Sequence, residues 1–299
     1  MNPKITFAGR VATDTIYTHG DANTLKSIFK VEKPIIGALH LLPLIGGKER
    51  IPYKDILECA LADLKALEQG GVDGVIVENN YDLPHRIVVR PETVALMSKI
   101  CKKLRANTSL PVGISVLWND YKAAISIAKT ADGSFVRIPA FVDEVMTSFG
   151  RVSPVAASAI RYRKRIHAEN VKIFSDIHVK HAHMLSKKSI AESAAQAEKM
   201  RSDGIIVTGT WTGDPPSISD LKKVSTSTSL PVIIGSGFSQ KEVGLLKFAD
   251  AVIVSTSLKT GTPSAKQRNL KPYTARIDRS KVAALMRKVK EFRKNGGNL

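Results

Sequence analysis

A chain of 299 residues, 43% of them hydrophobic, is long enough for one (β/α)8 barrel with a full core, which needs about 250 residues. No apolar run approaches the roughly 18 residues that span a bilayer, and residues 1–10 are too polar for a secretory leader, so we expect a cytoplasmic protein without membrane insertion. The formal net charge of +18, from 45 Lys and Arg against 27 Asp and Glu, favours anionic partners such as phosphorylated metabolites, nucleotides or nucleic-acid backbones.

The polar segment 1–24 precedes any regular pattern, and the sequence predicts that it is an N-terminal extension. The remainder, residues 25–299, is predicted to form one barrel domain. Within it, short β-branched runs that are apolar at consecutive positions are typical of strands buried on both faces, as parallel sheets require. Eight such runs follow one another along the chain: 34–40, 74–79, 111–117, 134–139, 171–178, 204–209, 231–235 and 251–255.

Segments with helical spacing separate these runs; one example is the apolar stripe within residues 56–67. Pro91 and Pro154 suit the first turns of helices, and Ser239 with Glu242 has the spacing of a capping box. Strict alternation of strands and helices predicts an α/β protein with a parallel sheet, and eight units favour a single TIM barrel. An open doubly wound sheet is the alternative, but no GxGxxG fingerprint follows an early strand.

The two cysteines, the densest basic stretch and one long connection are interpreted as structural features with no catalytic role. Cys59 and Cys101 fall in predicted amphipathic helices, which indicates free thiols rather than disulfides or a zinc site. The densest basic stretch, residues 161–165, is taken as the solvated face of a helix, and aromatic residues are only 6%, so nucleic acid is not an expected partner. The long connection 256–279 is interpreted as a lid or an oligomer contact, with disorder as the alternative. We also expect the protein to form a homo-oligomer.

Polar residues follow most of the predicted strands at their carboxyl ends. In a barrel these ends converge on one mouth, whatever the separation of the residues in sequence. Each residue alone could be a capping or buried polar group, but a purely structural rim does not need so many carboxylates, imidazoles and cations. The candidates for catalysis are His40, Glu78, Asn119, Asp120, Arg137, Asp176, His178 and Lys180.

Glu78 and Asp176 stand on the second and fifth strands, so they approach the mouth from roughly opposite sides. We expect one to act as a general base and the other as a general acid, supported by His40 or His178. A divalent metal held by these same four residues is the competing interpretation. No fixed ligand spacing such as HExxH supports it, so the sequence requires no cofactor and leaves a divalent metal as the alternative.

The turns after the seventh and eighth strands predict a phosphate site. Glycines let backbone N–H groups approach phosphate oxygens, and a short helix adds its positive end. The alternative is that Gly235 and Gly237 only serve a tight turn. In the loop after the sixth strand, Trp211 offers a stacking or lid surface, or anchors that loop. The predicted phosphate ligands are Thr208, Gly209, Gly235, Ser236, Gly237, Ser255, Thr256, Ser257 and Lys259.

At these same residues the sequence resembles the BtpA/SgcQ family. The matching segments keep their order from about residue 25 to the C-terminus and include KPIIGALHLLPLIGG (33–47), GGVDGVIVEN (70–79), DIHVKHAH (176–183) and ADAVIVSTSLK (249–259). The resemblance implies a TIM-type barrel related to phosphate-binding barrels. It also implies two unlike functions, a photosystem I biogenesis or stability factor and a nucleosidase or sugar-nucleotide enzyme. The sequence departs from the family pattern at residues 43–46 and 138–144, and these departures bear on the substrate more than on the fold.

Two functions of different classes therefore stand side by side. The first is an enzyme that binds a phosphorylated or ribosyl small molecule, nucleoside- or nucleotide-like, and performs acid–base hydrolysis at Glu78 and Asp176 as a nucleosidase would. The second is a non-catalytic assembly or stability factor for a protein complex, which would use an outer surface or segment 256–279. It predicts that the mouth residues tolerate substitution. Nucleic-acid binding rests on net charge alone.

Overall fold

The computed structural model describes residues 22–44, 51–261 and 274–296. Eight parallel strands close into a barrel in the order β1-β11-β10-β9-β7-β4-β3-β2, which confirms the predicted TIM barrel. Each predicted strand run contains one barrel strand. In chain order the strands are β1 (Ile35–His40), β2 (Gly74–Glu78), β3 (Val112–Ser115), β4 (Phe135–Ile138), β5 (Val145–Thr147), β6 (Gly150–Val152), β7 (Lys172–Ile177), β8 (Ala182–Met184), β9 (Gly204–Val207), β10 (Val232–Ile234) and β11 (Ala251–Val254).

Helices alternate with the barrel strands and bury the predicted apolar faces. Ile56, Leu64 and Leu67 are fully buried on the first of the outer helices, which ends where the Gly71 N–H, at φ 93°, donates to Leu67 O. A 3-10 helix (Val243–Phe248) takes the place of an α-helix between β10 and β11. The α-helices are α1 (Ala22–Phe29), α2 (Tyr53–Gly70), α3 (Pro91–Arg105), α4 (Tyr121–Thr130), α5 (Ala156–Arg165), α6 (Ile190–Lys199), α7 (Ile218–Ser227) and α8 (Arg279–Lys294).

Two local predictions about helix starts had different outcomes. Pro91 opens α3, where its missing N–H costs nothing. Pro154 lies outside α5, so the prediction that it occupies a first helical turn was wrong. The reason is local, because the N–H groups of Val155 and Ala156 both donate to Phe141 O and hold the chain in a turn before the helix begins.

Helix α1 closes the amino-terminal end of the barrel. Leu25 and Phe29 pack into the barrel interior, where the Phe29 and Phe135 rings lie 5.7 Å apart. Gly74 leaves room for this contact, since a Cβ there would stand 2.5 Å from Phe29 Cε1. Residues 1–21 lie outside the described residues, so the division into a 1–24 extension and a 25–299 barrel stays a prediction.

Strands β6, β5 and β8 form a small antiparallel sheet that the sequence did not predict. They lie in the connections after β4 and β7, on the mouth side of the barrel, and bury Val145 and Val152 against Trp118. Strands of three residues are too short to show an alternating pattern. The small sheet leaves Met146 and Leu185 40% and 45% exposed.

The connection after β11 is anchored at both ends of the part described. Lys259 pairs with Ile277 in an antiparallel bridge, and Arg276 forms an ion pair with the buried Asp63. Residues 262–273 lie outside the described residues, so the predicted lid or oligomer contact stays a prediction. None of the helices in the described ranges is long and apolar enough to cross a membrane. Both cysteines are free thiols, and burial raises the pKa of Cys101 to about 12.

Candidate functional site at the barrel mouth

Strand register brings four of the predicted catalytic residues to one end of the barrel. His40 ends β1 and stands abreast of Glu78, which ends β2. Arg137 and Asp176 lie near the ends of β4 and β7, which pair directly. The side chain of Asp176 is fully buried, and those of Glu78 and Arg137 are 8% and 9% exposed. The predicted convergence of strand ends is therefore seen at these four positions.

Arg137 joins the two carboxylates. Its Nε and Nη2 atoms donate to the two oxygens of Asp176 at 2.8 Å and 2.7 Å, which is the bidentate geometry of strong guanidinium–carboxylate pairs. Its Nη1 lies 3.5 Å from Glu78 Oε1. Burial lowers the pKa of Arg137, but the charges and hydrogen bonds of Asp176 and Glu78 outweigh burial and raise it. Arg137 is thus a fixed cation between two anions.

His40 connects Glu78 to a lysine that follows the last strand. His40 Nε2 lies 3.3 Å from Glu78 Oε2, and Lys259 Nζ lies 2.9 Å from His40 Nδ1. An ammonium can only donate, so Nδ1 is assigned as the acceptor and Nε2 as the nitrogen that carries the proton. Lys259 also donates to the Tyr81 hydroxyl at 2.8 Å. Burial raises the pKa of Tyr81 to about 12, so that hydroxyl keeps its proton at neutral pH.

The environment of Glu78 keeps it ionised. Burial raises the pKa of this carboxyl, but the hydrogen bond from His40 and the positive charges of Arg137 and Lys180 prevail and lower it to about 2. A group with that pKa gives up its proton well below neutral pH, so Glu78 is not a general acid. Its Oε1 atom is buried and makes no hydrogen bond with the described residues, which leaves it capacity to accept one.

Asp176 is also a poor proton donor, for a geometric reason. Both of its oxygens accept from Arg137, so it positions the guanidinium. The predicted division of labour, in which Glu78 and Asp176 act as acid and base, is not what the contacts favour. The groups placed to donate a proton beside Glu78 are His40 and Lys259.

Three cations and two carboxylates are identified at the mouth. Arg137, Lys180 and Lys259 stand against two carboxylates, Glu78 and Asp176, and Lys180 is near enough to lower the pKa of Glu78. In a largely buried site an excess cation attracts an anion more strongly than it would in water. The identified cations at the mouth therefore outnumber its identified carboxylates by one.

Three predicted catalytic residues hold the surrounding loops. The Asn119 amide exchanges two hydrogen bonds with the backbone of Ala140, at 3.2 Å and 2.9 Å. Asp120 caps α4 by accepting from Ala123 N, and it accepts from Val89 N with its other oxygen. The backbone N–H of His178 donates to Oδ2 of the buried Asp143 carboxylate.

These contacts are structural, and the structure does not bring the three side chains into hydrogen-bond contact with Glu78. Position at a strand end alone could not have separated them from the four residues that do meet, because each also follows or ends a barrel strand.

The predicted phosphate residues after β10 support a loop. Ser236 Oγ accepts from Gly209 N at 3.0 Å and donates to Asp214 O at 2.8 Å. A Cβ on Gly237 would stand 2.0 Å from Pro215 N, and φ at Gly237 is 67°. Gly237 is thus required for the close packing of loop 209–216, in line with the alternative that these glycines serve local structure.

Gly235 differs from Gly237. A Cβ there would meet Ile206 Cγ2 at 2.4 Å and would lie 3.7 Å from Arg137 Nη2, so this glycine keeps space open beside the guanidinium. Thr208 Oγ1 accepts a hydrogen bond from the backbone N–H of Lys180, and this contact fixes the start of loop 209–216. Gly235 and Thr208 therefore shape the side of the mouth beside Arg137 and Lys180.

The predicted phosphate residues after β11 separate from one another. Ser255 Oγ is buried without a hydrogen-bond partner among the described residues. Thr256 opens a 3-10 helix (Thr256–Leu258), and Ser257 Oγ donates to Phe238 O. Lys259 belongs to the His40 cluster. Tyr81 completes that cluster and was missed by the sequence analysis; its one signal is its place three residues after Glu78.

The alternative metal site is not formed. Among the described residues no three His, Cys, Asp or Glu side chains group as metal ligands do. Arg137 occupies both oxygens of Asp176, one of the four proposed ligands, and His178 Nε2 is buried without a hydrogen-bond partner among the described residues.

These features define the class of the protein as a TIM barrel with a buried, cation-rich mouth. The BtpA family model matches residues 31–291, and the chain belongs to the BtpA family. A Synechocystis sp. protein named photosystem I biogenesis protein BtpA is 36% identical over 240 residues, which cover 77% of this chain and 82% of that one. A protein of Archaeoglobus fulgidus is also 36% identical, over 77% of this chain and 93% of its own.

Solved structures share the fold at low identity. (S)-3-O-geranylgeranylglyceryl phosphate synthase from Thermoplasma acidophilum, in complex with its substrate sn-glycerol-1-phosphate, has a TM-score of 0.56 and 12% identity, covering 91% of this chain and 99% of its own. 3-Keto-L-gulonate-6-phosphate decarboxylase from Vibrio cholerae has a TM-score of 0.52 and 14% identity, covering 88% and 99%. These likenesses relate the fold to TIM barrels that act on phosphorylated ligands.

Proposed function

We propose that this protein is an enzyme that binds a phosphorylated, ribosyl-type small molecule in the barrel mouth and hydrolyses it with nucleosidase-like chemistry. The observation that carries the proposal is the buried chain of contacts Lys259–His40–Glu78–Arg137–Asp176, beside which Lys180 adds a further positive charge. A structural core does not need five ionisable side chains in one network, since apolar residues would fill the same space at lower cost in desolvation.

The substrate class rests on charge. Arg137, Lys180 and Lys259 suit a phosphate monoester, because guanidinium and ammonium groups both donate to phosphate oxygens. Two TIM barrels of similar fold have substrates whose names include a phosphate ester, and this supports the same ligand class here.

The chemistry follows from the state of Glu78. A carboxylate that stays ionised can stabilise the positive charge that develops on a sugar ring as an N-glycosidic bond breaks. The Lys259 ammonium, which is hydrogen-bonded to His40, gives one proton to the departing nitrogen base as the N-glycosidic bond breaks. Water then adds to the ring carbon that the base has left, and the proton that this water releases returns to the Lys259 amine, so that the sugar gains a hydroxyl and the base a hydrogen. Arg137 and Asp176 hold Glu78 in place and need no change of protonation.

The first test is thermal unfolding of the wild type with inorganic phosphate, ribose 5-phosphate, nucleosides and nucleoside monophosphates. A ligand present at about 100 times its Kd should raise the Tm on the order of 5 °C, because it binds only the folded state. Lys180→Met should weaken the shift. Lys54→Met removes the same charge from an exposed site, with a side chain 80% exposed, and should leave the shift unchanged.

Turnover is measured on the ligand that gives the largest shift. Chromatography should detect release of the base, and Glu78→Gln should slow release by about 10²–10⁴-fold. If no phosphorylated compound raises the Tm, the enzyme proposal is wrong. The remaining candidate is then an assembly factor, favoured by the name of the Synechocystis relative and by the exposed Met146 and Leu185.

A further inference from the structure

A cleft of about 350 Å³ lies outside the barrel mouth, between residues 239–241, the 3-10 helix Thr256–Leu258 and helix α8. Its volume falls at the lower end of the range for small-molecule sites. Leu258 and Leu285, 1% and 2% exposed, contribute its apolar side. Segment 255–259 contributes to both sites, since Ser257 and Leu258 line the cleft and Lys259 contacts His40 in the mouth.

The polar lining of the cleft is cationic. Lys241, Lys281 and Lys288 line it, and among the described residues that line it none is a carboxylate. Ser239 and Ser257 also line it, but their hydroxyl protons are used, since Ser239 donates to Glu242 Oε2 and Ser257 to Phe238 O. The donors left for a ligand are the side-chain amide of Gln240 and the ammonium groups, which bind phosphate as point charges.

Lys281 connects the cleft to the mouth. Its Nζ donates to Lys259 O at 2.7 Å and to Gly261 O at 2.9 Å. An ammonium has three N–H donors, so one remains for an anion in the cleft. Lys259 thus contacts Lys281 through its backbone carbonyl and His40 through its side chain. An anion that binds the Lys281 ammonium changes the strength of the hydrogen bond from Lys281 Nζ to the Lys259 carbonyl.

We propose that this cleft is a second ligand site, which takes the phosphate group of a free phosphate or a small phosphate ester and regulates the mouth through Lys281 and Lys259. The site does not depend on the reaction proposed for the mouth. Coupling between two sites is reciprocal, so a cleft ligand must change the affinity of the mouth by the same factor as a mouth ligand changes that of the cleft.

The test is calorimetric titration of the full chain with pyrophosphate, ribose 5-phosphate and a single-stranded oligonucleotide. The cleft variant is Lys241→Met with Lys288→Met. The matched control is Lys247→Met with Lys290→Met, which removes the same charge from exposed lysines of the same two helical regions, outside the cleft lining. Lys180→Met marks the mouth.

The wild type should bind pyrophosphate at two sites, and the cleft variant should weaken one of them by about tenfold while the control keeps both. Ribose 5-phosphate should bind in the cleft as pyrophosphate does if the ligand is an ester, and more weakly if it is a free phosphate. Lys281→Gln, which keeps donors for both carbonyls but loses the charge, should reduce the coupling between the sites.

Equal binding by the cleft variant and its control would overturn the proposal. So would a single wild-type site that Lys180→Met removes, and that result would leave the mouth function standing. A single site lost only in the cleft variant would support the cleft and count against the mouth. Oligonucleotide binding that falls equally in both double variants would indicate a general basic surface and also overturn it.

Discussion

At the scale of single residues, Glu78 shows how burial and hydrogen bonding oppose each other. Burial alone would favour the neutral acid, whereas His40, Arg137 and Lys180 favour the anion strongly enough to lower the pKa to about 2. The unfolded chain has no such partners. Glu78 therefore releases its proton more readily in the folded state than in the unfolded state, and folding stability must depend on pH through it.

The sign of that dependence is fixed. Since the folded pKa lies below the unfolded value of 4.5, the contribution of Glu78 is complete above about pH 4.5 and is lost as the pH falls towards 2. It amounts to at most about 3 kcal/mol. We expect Glu78→Gln to be less stable than the wild type at pH 7, and the difference in free energy of unfolding to shrink at pH 3.

Urea unfolding at pH 7 and pH 3 measures this difference. The matched control is Glu58→Gln, because Glu58 is 63% exposed on α2 and its substitution should give a small difference that varies little with pH. A gap between wild type and Glu78→Gln that stays constant from pH 7 to pH 3 would contradict the ionised state assigned to Glu78.

At the scale of elements, a repeated aspartate joins neighbouring barrel strands at their amino ends. Asp73, Asp203 and Asp250 directly precede β2, β9 and β11. Each accepts from the backbone N–H of a residue at the start of the preceding barrel strand, and these residues are Ile35, Ile173 and Val232. Asp73 and Asp203 also pair with arginines. Each carboxylate thus satisfies a backbone donor at the end of a parallel strand, where the sheet offers it no partner.

Substitution of one of these aspartates should destabilise the barrel. Asp203→Asn removes the charge that pairs with Arg163 Nη1 at 2.6 Å, at a site where both side chains are under 20% exposed. We expect a loss of about 2 kcal/mol, because a partly buried arginine loses its partner. Chemical unfolding measures it. Asp132 precedes β4 at the corresponding position but is exposed, so Asp132→Asn should cost much less; equal losses would refute the role of Asp203.

The elements also show what the sequence could and could not predict. The eight barrel strands were predictable because burial on both faces leaves continuous β-branched runs, and the mouth followed because parallel strands share one carboxyl end. The closure of the barrel by helix α1 was not predictable, since Phe29 packs into a space that the absence of a side chain at Gly74 leaves open, far away in sequence. The roles of Asn119 and Asp120 depend on which backbone groups lie within 3.2 Å, and spacing along the chain carries no such information.

At the scale of the whole molecule, the net charge of +18 and the cationic mouth act in the same direction. Membership in the BtpA family fixes the barrel but not the ligand, so charge is the property from which ligand behaviour can be argued. A strongly positive molecule raises the local concentration of anions around it, and salt screens that effect beyond a Debye length of ~30 Å at 0.01 M and ~8 Å at 0.15 M.

Association of an anionic ligand should therefore slow with salt. From 0.01 M to 0.15 M ionic strength we expect the association rate constant of the phosphorylated compound that raises the Tm to fall by about tenfold, while the dissociation rate constant changes less. Stopped-flow fluorescence can follow it, since Trp211 is 52% exposed and its ring lies 5.3 Å from His181 in the loop after Lys180. An uncharged nucleoside is the control. If salt lowers the association rate constants of both ligands equally, or changes only the dissociation rate constant, long-range attraction by the whole molecule has no part in binding. The local charges of the mouth would then account for the binding alone.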